Sequence, residues 1–410
     1  FQPGSSQREH PARPARTHAR ICEEGGLMND AVDYLIVGGG VAGLSAAWQL
    51  APYGRVLVLE REDVTGYHSS GRSVTYYHFG IGNLDVRLLT QAGGVFFSDP
   101  PPGFTEIPLA HPAPAMMVVR DGQDALFEKN LAEMAAVTGS AREIDPSEIS
   151  KRVPVLKLAS THAGGITRAL IDPAAARLDG HALMMGYRRG LQARDGRVVT
   201  GAEVKTVSRR AGRWHVETPK GHFSAPVLIN AAGAWADEVA QLAGVTPLGL
   251  QPTRRTIISF DPPEGVDIHG WPLVRSLADE FYFLPETGRL LASPADQTPC
   301  LPCDAQPDEF DVALAAWRIE EVTTMQVRRV LHRWAGLRTF APDRVPVVGF
   351  DRHARDFFWL AGQGGYGLQT APAMALACEA IMVGNPWPSA LKVTPEALSP
   401  YRFNQGLPSP

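Results

Sequence analysis

Cysteine is scarce in this chain: 4 cysteines among 410 residues are too few for a framework of disulfide bonds. Cys300 and Cys303 have the C-x-x-C spacing, but no second pair follows that could complete a zinc site. They also lie in a segment rich in proline and aspartate, which indicates a loop. We therefore expect no cysteine chemistry.

Long apolar runs, an excess of basic residues and two common hydrolase motifs are missing as well. No run reaches the roughly 18 apolar residues of a membrane-spanning helix, and a formal net charge of −4 argues against nucleic acid as a partner. Because neither H-E-x-x-H nor G-x-S-x-G occurs, we expect no metal site and no serine nucleophile. The remaining composition, 44% hydrophobic and 20% charged, is typical of a cytoplasmic globular protein with two lobes.

Residues 1–29 differ from the rest of the chain, because four arginines stand there among proline, serine and histidine with little apolar content. A secretory signal needs a hydrophobic stretch, which is missing. Three glutamates, Glu9, Glu23 and Glu24, argue against a transit peptide. We expect a disordered tail or a cloning remnant, with Met28 as the natural start.

What is present begins with a nucleotide-binding pattern. Residues 34–37 are a short apolar run typical of a buried parallel strand, and Gly38, Gly40 and Gly43 follow in G-x-G-x-x-G spacing at the start of a helix. The glycines allow a tight turn, a close approach to a pyrophosphate and close helix–strand packing. A second apolar strand over residues 55–59 ends at Glu60, where an acid binds ribose hydroxyls. The order of these parts predicts a dinucleotide site.

Three further segments indicate that the dinucleotide is FAD. Residues 66–73 form a polar, glycine-containing loop that suits the phosphates and ribityl chain of a larger cofactor. Residues 227–235 and 357–370 each read as a strand that leads into a turn of small residues. Three strand-to-turn elements spread along the chain fit FAD bound in an extended form.

These segments carry a family resemblance over residues 33–400. The sequence is similar to the D-amino-acid oxidase–type FAD oxidoreductases and, among them, to the FAD-dependent D-arginine dehydrogenase group. The most specific stretches are residues 66–73, 230–235, 254–256, 281–283, 334–338 and 361–367. The resemblance implies non-covalent FAD, consistent with the absence of a cysteine near the flavin-facing loops. It implies as cofactor-binding residues Gly38, Gly40, Val41, Ala42, Gly43, Glu60, Arg61, Ser69, Ser70, Arg72, Ser73, Val204, Ala232, Gly233, Trp235, Arg338, Gly364, Gly365, Tyr366, Gly367, Leu368, Gln369 and Thr370.

The implied fold class is α/β. A Rossmann-like FAD-binding domain, discontinuous in sequence, would consist of residues 30–98, 165–247 and 334–400. An α+β substrate domain built on an antiparallel sheet would consist of residues 99–164 and 248–333. We also expect helices over residues 175–189 and 308–329, and a strand at Glu203 and Val204 that contacts the adenine through its backbone.

Two arginines are the main candidates for substrate binding. Arginine binds a carboxylate with two parallel charge-assisted hydrogen bonds, and the resemblance implies that Arg255 and Arg338 hold the α-carboxylate with the hydroxyl of Tyr282. Arg254 is the alternative to Arg255. Tyr76 and Gly365 complete the predicted catalytic set: Tyr76 in a loop that gates the pocket, and Gly365 in a turn whose N–H groups stabilise the reduced flavin.

The implied reaction is oxidation of a D-amino acid by hydride transfer from Cα to flavin N5, which gives an imine that is hydrolysed to a 2-oxo acid. Oxidation of a secondary amine such as an N-methyl amino acid, or of a 2-hydroxy acid, is the alternative within the fold. A non-catalytic flavin-binding protein is the alternative from another class. The partners would be a small amino acid or amine carboxylate and an electron acceptor: a quinone, a dye-like carrier or O2.

The pocket departs from the arginine-oxidising relatives at three positions. Tyr76 and Ile81 stand where those relatives have a histidine and a tyrosine, although His78 lies nearby. Ala115 stands where they have a glutamate that pairs with a cationic side chain. We therefore expect D-arginine and D-lysine to be poor substrates, unless another acid, Asp279 or Glu280, reaches the same space.

Overall fold

The computed structural model describes residues 28–403, so the prediction for residues 1–29 lies almost wholly outside the described part of the chain. None of the helices in that part is long and apolar enough to cross a membrane. The α-helices there are α1 Val41–Leu50, α2 Leu84–Ser98, α3 Asp124–Thr138, α4 Pro146–Arg152, α5 Gly180–Gln192, α6 Ala236–Leu242, α7 Glu309–Val322, α8 Gly367–Val383 and α9 Pro395–Leu398.

The strands belong to four sheets. In chain order they are β1 Met28–Ala31, β2 Tyr34–Val37, β3 Val56–Leu59, β4 Tyr76–Tyr77, β5 Ala110–Pro112, β6 Ala115–Arg120, β7 Arg142–Ile144, β8 Ile166–Asp172, β9 Ala176–Leu178, β10 Arg197–Val199, β11 Thr206–Arg210, β12 Arg213–Thr218, β13 Gly221–Ala225, β14 Val227–Asn230, β15 Gln251–Phe260, β16 Leu273–Ser276, β17 Tyr282–Glu286, β18 Arg289–Ser293, β19 Thr298–Pro299, β20 His332–Phe340, β21 Val347–Phe350, β22 Phe357–Ala361 and β23 Gln363–Gly364.

The first large sheet has six strands in the order β10-β3-β2-β14-β22-β21, all parallel except the edge strand β21. Its central strands are apolar along their whole length because both faces are covered. Helices α1 and α8 pack on one face. The four-stranded sheet β1-β13-β12-β11 and helix α6 pack on the other. This layered arrangement confirms the predicted Rossmann-like α/β fold.

The second large sheet is mixed and mainly antiparallel, in the order β23-β20-β15-β18-β17-β16-β6-β8-β7, with β19 paired to β15. Alternate residues of its strands point to opposite faces. One face is covered by helices α4 and α7, with Ile258, Phe283 and Leu290 in the core between them. The other face carries Ile257, Tyr282 and Leu291. A small sheet, β4-β9-β5, adds one more layer.

Two of the predicted elements differ from the observed ones. The long helix expected over residues 308–329 is α7, which ends at Val322, and Phe310 and Trp317 of its expected apolar face are exposed. The segment expected to be helical from residue 175 begins with strand β9, and α5 starts at Gly180 after its N-cap, Asp179. The Asp179 carboxylate accepts a hydrogen bond from Ala182 N, which fixes the start of the helix there.

The predicted domain boundaries also differ from the sheet pairing at two places. Strands β8 and β20 fall within segments that were predicted to belong to the FAD-binding domain. Both pair within the ten-stranded sheet, β8 with β6 and β20 with β15. A local sequence pattern identifies a strand but not the neighbour with which it pairs, so these boundaries could not be read from the sequence.

Candidate active site

A main cleft lies at the carboxyl ends of the parallel strands and extends to the ten-stranded sheet. In open α/β sheets, loops at this edge form the ligand site. Most of the predicted site residues meet there. The predicted residues that line the main cleft are Gly38, Gly40, Val41, Ala42, Glu60, Arg61, Ser69, Ser70, Arg72, Ser73, Val204, Ala232, Gly233, Trp235, Arg255, Tyr282, Arg338, Gly364, Gly365, Gly367 and Leu368.

The three glycines after β2 have distinct roles. Gly38 has φ +110°, and a Cβ there would lie 2.3 Å from the carbonyl oxygen of Ala231. A Cβ on Gly43 would lie 1.9 Å from the carbonyl oxygen of Gly38, so Gly43 serves helix packing and does not line the cleft. Gly40 faces the cleft, where the nearest atom to its Cβ position is Ser70 Oγ at 3.4 Å. This leaves room for a pyrophosphate at the N-terminus of α1.

Glu60 is held as a carboxylate acceptor although it is only 7% exposed. Its Oε2 accepts a hydrogen bond from Gly39 N at 2.7 Å and its Oε1 one from Glu62 N at 2.9 Å. Burial raises its pKa, and the two backbone N–H groups oppose that shift. Each carboxylate oxygen can accept a second hydrogen bond, so Glu60 can still bind ribose hydroxyls.

The loop of residues 66–73 joins the two large sheets across the cleft. Ser70 Oγ accepts a hydrogen bond from Val41 N at 3.0 Å, and Ser69 Oγ donates one to the carbonyl of Leu337 in β20. The guanidinium of Arg72 donates to the carbonyls of Ala305 and Ala335 and pairs with Asp304. We infer that Arg72 fastens this loop, because its donors are already engaged by protein groups.

At the far end of the cleft lie Arg61, Val204 and Trp235. The Arg61 guanidinium lies 4.8 Å from the centre of the Trp235 ring, and the His68 ring lies 4.5 Å from the same ring. The predicted strand at Glu203 and Val204 is wrong: these residues form an extended segment before β11, outside any sheet. The neighbouring Ala202 N donates to Glu60 O, which places the segment beside Glu60, the acid predicted to bind the ribose.

The opposite end of the cleft is formed by side chains of the ten-stranded sheet. Arg255 is 4% exposed, and its Nε donates to the carbonyl of Asp296 at 2.8 Å. Its Nη2 and the hydroxyl of Tyr282 are buried without a hydrogen-bond partner among the described residues. Arg338, on the neighbouring strand, makes no side-chain hydrogen bond or ion pair within residues 28–403. Buried donors without acceptors indicate a missing ligand that accepts hydrogen bonds.

Strand geometry distinguishes Arg255 from its neighbour Arg254. Consecutive residues of a strand point to opposite faces. Arg254 therefore points to α7, where its Nη2 lies 2.7 Å from Asp311 Oδ2, and Arg255 points into the main cleft.

The electrostatics at this end favour an anion. Burial, and after it the charge of Arg338, lowers the pKa of Arg255 to about 9. Asp296 lies 4.0 Å from Arg255 Nε, but its carboxylate already accepts hydrogen bonds from the backbone N–H and the hydroxyl of Thr256. An anion between the two arginines would relieve their repulsion and satisfy the free donors.

The turn before α8 lies against Arg338. A Cβ on Gly365 would lie 2.8 Å from the Arg338 guanidinium carbon, so only glycine leaves that side chain in place. Helix α8 follows, and no side chain caps its N-terminus. Its first residues, Gly367 and Leu368, line the cleft. The uncapped N–H groups and the helix dipole can stabilise negative charge at this position.

A family model described as FAD dependent oxidoreductase (DAO) matches residues 33–379. The chain belongs to this family. FAD is its cofactor, as predicted, and the glycines, Glu60 and the free helix N-termini fit that group. No group of three or more His, Cys, Asp or Glu side chains within residues 28–403 is arranged to hold a metal ion.

Individual relatives are more distant. Mitochondrial dimethylglycine dehydrogenase of Mus musculus is 25% identical over 402 residues, which cover 89% of this chain and 44% of that protein. The chain thus spans less than half the length of this relative. Among solved structures, L-proline dehydrogenase from P. horikoshii has a TM-score of 0.80 at 19% identity, covering 92% of this chain and 99% of that one. Glycine oxidase from Geobacillus kaustophilus has a TM-score of 0.76 at 18% identity, covering 89% and 98%. These structures share the fold.

Four other predicted residues of this FAD-dependent oxidoreductase do not line the main cleft. Tyr76 is half-buried in β4, and burial raises its pKa to about 12. Tyr366 donates its hydroxyl proton to the carbonyl of Arg344. Gln369 Nε2 donates to Thr90 Oγ1 at 2.7 Å, and Thr370 Oγ1 donates to the carbonyl of Tyr366. The last three hydrogen bonds tie the turn before α8 to Arg344 and tie α8 to Thr90 of α2.

The positions at which the sequence departs from the arginine-oxidising relatives are also placed. Ala115 shares a sheet face with Tyr282, but it is fully buried in the core and does not line the main cleft. Its contribution to specificity was therefore overstated. His78 is buried, and burial together with nearby arginines lowers its pKa to about 3. Glu280 pairs with Arg120, away from the cleft.

Sequence reasoning missed several residues of the site. Ile257 and Thr339 line the cleft from β15 and β20, and Gln363 lines it just before the glycine turn. Thr339 Oγ1 and Gln363 Nε2 are buried without partners among the described residues. Gln363 could have been suspected, since it precedes Gly364 and Gly365 directly. Ile257 could have been inferred from Arg255, because residues two apart in a strand share a face.

Proposed function

We propose that this protein oxidises the C–N bond of a small amino-acid-type carboxylate with FAD as the electron acceptor of the first half-reaction. The observation that carries the proposal is the set of free donors on Arg255, Tyr282 and Arg338 at one end of the main cleft. Two guanidinium groups and a hydroxyl suit one carboxylate.

The residues of the chain then act mainly by orientation. Arg338 and Arg255 bind the substrate carboxylate, and Tyr282 donates a hydrogen bond to it. Holding the carboxylate fixes the position of Cα and therefore the direction of its C–H bond. The positive charges also disfavour a protonated amine nearby, and the neutral amine is the form that can become an imine. FAD, when bound, supplies the two-electron acceptor.

Two substrate classes fit this arrangement. A D-amino acid would give an imino acid, which water converts to a 2-oxo acid and ammonia. A secondary amine is the second candidate, because the apolar side chain of Ile257, which shares a strand face with Arg255, lines the main cleft and offers contact to an N-alkyl group. The named activities of the dimethylglycine and L-proline dehydrogenases support this second candidate.

Anaerobic stopped-flow measurement of flavin bleaching tests the proposal. D- and L-amino acids, N-methyl amino acids and 2-hydroxy acids are compared, and the products are identified. Ammonia with a 2-oxo acid indicates a primary amine. Methylamine with a 2-oxo acid, or formaldehyde with an amino acid, indicates an N-methyl substrate. If only 2-hydroxy acids bleach the flavin, or nothing does, the proposed C–N oxidation is wrong.

We also propose that FAD is bound without a covalent bond. Cys300 and Cys303 lie in the segment after β19, and neither lines the main cleft. Acid precipitation of the holoprotein should release all of the yellow colour into the supernatant. Colour that stays with the precipitated protein would contradict this proposal.

A further inference from the structure

A second cavity of about 290 Å³ adjoins the main cleft. We call it the side cavity. Arg338 and Gly365 line both spaces, so the two meet at the predicted carboxylate clamp. Its other walls come from the loop of residues 80–83, from Arg275 and Asp279 of the ten-stranded sheet and its following turn, and from the segment around Arg344. The side cavity therefore lies next to the position proposed for the substrate carboxylate.

The charge in this cavity is predominantly positive. Four arginines line it, namely Arg87, Arg275, Arg338 and Arg344. The lining carboxylates are Asp279 and Asp343, and each already forms an ion pair. Asp279 pairs with Arg275, and Asp343 pairs with Arg402, which does not line the cavity. Arg338 and Arg344 have no carboxylate partner within residues 28–403.

Two of these arginines are held in place. Arg87 is only 3% exposed. Its Nη2 donates a hydrogen bond to Asn130 Oδ1 at 2.6 Å, and its Nη1 lies 2.8 Å from Glu133 Oε2. Its Nε has no hydrogen-bond acceptor among the described residues. Arg275 is 8% exposed and bridges the Gly80 carbonyl and Asp279. Each of the two is therefore already paired with one carboxylate, and the uncompensated positive charge of the wall belongs to Arg338 and Arg344.

Arg344 is more accessible than these two. Its guanidinium carbon lies 3.9 Å from the centre of the Phe340 ring, and its Nη2 donates to Gln297 Oε1 at 2.7 Å. Phe340 belongs to the same strand as Arg338, two residues further on. Stacking on Phe340 restricts the guanidinium and leaves its other donors available.

We propose that the side cavity binds a second carboxylate of the substrate, so that the preferred substrates are amine dicarboxylates. This inference rests on the proposed function, because it places the first carboxylate on Arg255 and Arg338. The second carboxylate then lies among Arg275, Arg344 and Arg87. It supplies the anion that Arg344 lacks and offsets the repulsion between the arginines of the wall.

A cationic side chain would fare worse in the same space. It would meet Arg338 and Arg344, which have no carboxylate partner among the described residues, while the two lining carboxylates are already engaged in ion pairs. Asp279, the acid that could have rescued arginine binding, is neutralised by Arg275. We therefore still expect D-arginine and D-lysine to be poor substrates. The reason is now the positive charge of the arginines in the side cavity, not the absence of a carboxylate at Ala115.

An isosteric pair of substrates tests the inference directly. Glutamate and glutamine differ only in the charge of the distal group, and the pair is measured in the enantiomer that the substrate screen selects. For a secondary-amine enzyme the pair is iminodiacetate and its monoamide. We expect kcat/KM for the acid to exceed that for the amide by about tenfold or more. Equal values, or a preference for the amide, overturn the inference and leave the proposed function intact.

A binding measurement separates failure of the inference from failure of the proposed function. Glutarate and its monoamide have no amine and are not oxidised, yet their binding can be followed through the flavin spectrum of the holoprotein. Tighter binding of glutarate supports the side cavity even if no amine reduces the flavin. Equal binding of the two contradicts it even if amines are oxidised.

Substitutions locate the second carboxylate. Arg344→Gln should lower the acid-to-amide ratio of kcat/KM by about tenfold, because it removes one charge and changes an accessible side chain. Arg275→Gln should lower the ratio as well. The matched control is Arg254→Gln, which also removes an arginine but faces α7 and should leave the ratio unchanged. A ratio that falls equally in all three variants, or in none, contradicts the assignment.

Discussion

The two large sheets contribute to the active site in different ways. The six-stranded parallel sheet contributes backbone: glycine turns at strand ends, free helix N–H groups and one acid, Glu60, fixed by two backbone hydrogen bonds. The ten-stranded sheet contributes side chains that its strands carry, with Arg255, Tyr282 and Arg338 on three different strands.

This difference determines what each part of the site can tolerate. Where backbone groups bind the cofactor, the backbone must come close to it. An added methyl group then weakens cofactor binding, whereas nearby side chains that do not contact the cofactor can vary. A side-chain site depends on charge and hydrogen-bonding groups, so truncation harms it while the backbone stays in place. The predictions below use matched variants in each sheet to test that contrast.

The largest effect is expected at the clamp. Arg338→Ala should lower kcat/KM for the best substrate by roughly 10²- to 10³-fold, since removing one partner of a buried charge pair costs about 3–5 kcal/mol. FAD should stay bound. Arg254→Ala, the matched control on β15, should change kcat/KM by less than about threefold, because Arg254 pairs with Asp311 on the other face. Similar losses in both variants would contradict the clamp.

The glycine motif should separate folding from cofactor binding. Gly43→Ala forces a methyl group to within 1.9 Å of the Gly38 carbonyl oxygen. Overpacking of this kind costs about 1–3 kcal/mol or more, so the Tm of the apoprotein should fall by several degrees. Gly40→Ala meets nothing closer than 3.4 Å and should keep the Tm but weaken FAD binding. Calorimetry and FAD titration measure the two effects. If Gly40→Ala lowered the Tm and Gly43→Ala weakened only FAD binding, the roles assigned to the two glycines would be wrong.

Glu60 offers a smaller test in the same sheet. In Glu60→Gln, one of the two backbone N–H groups that now point at a carboxylate oxygen would face an amide NH2 group. An amide is also a weaker acceptor for a ribose hydroxyl than a carboxylate, and a hydrogen bond to a charged group is worth about 1.5–3 kcal/mol, so the Kd for FAD should rise by roughly tenfold. Glu217→Gln, on β12 and far from the cleft, is the control. An unchanged Kd in Glu60→Gln would remove Glu60 from the cofactor site.

The smallest effect concerns pH. The pKa of Arg255 is lowered to about 9, so this guanidinium loses its proton as the pH rises through that value. Below about 9 Arg255 is charged and contributes fully to carboxylate binding, and above it the binding weakens. The Kd of an inhibitor without an amine, such as glutarate, should therefore be constant near pH 7–8 and rise several-fold toward pH 10. A Kd that falls over this range would have the wrong sign.

The parallel sheet was the more predictable half of the molecule. A strand, its glycine turn, the following helix and the next strand lie within about thirty residues, so the constraints of the nucleotide site act on neighbouring positions. Their pattern was enough to predict the α/β fold and the FAD site, and the family resemblance implied about half of the residues that line the main cleft. The main local errors, at α7, β9 and Val204, occurred where capping or pairing with distant strands decided the outcome.

The sequence by itself thus determined the cofactor, because backbone approach leaves glycines at fixed spacing, and the family resemblance supplied the clamp residues. Only the tertiary structure decided what surrounds them. It buried Ala115 in the core, placed Arg254 and Arg255 on opposite faces of one strand, and brought Arg87, Arg275 and Arg344 to one side cavity. These arginines come from three distant segments, and the charge that results depends on which carboxylates pair with them. Such pairing is a property of distances in space, which the order of residues along the chain does not record.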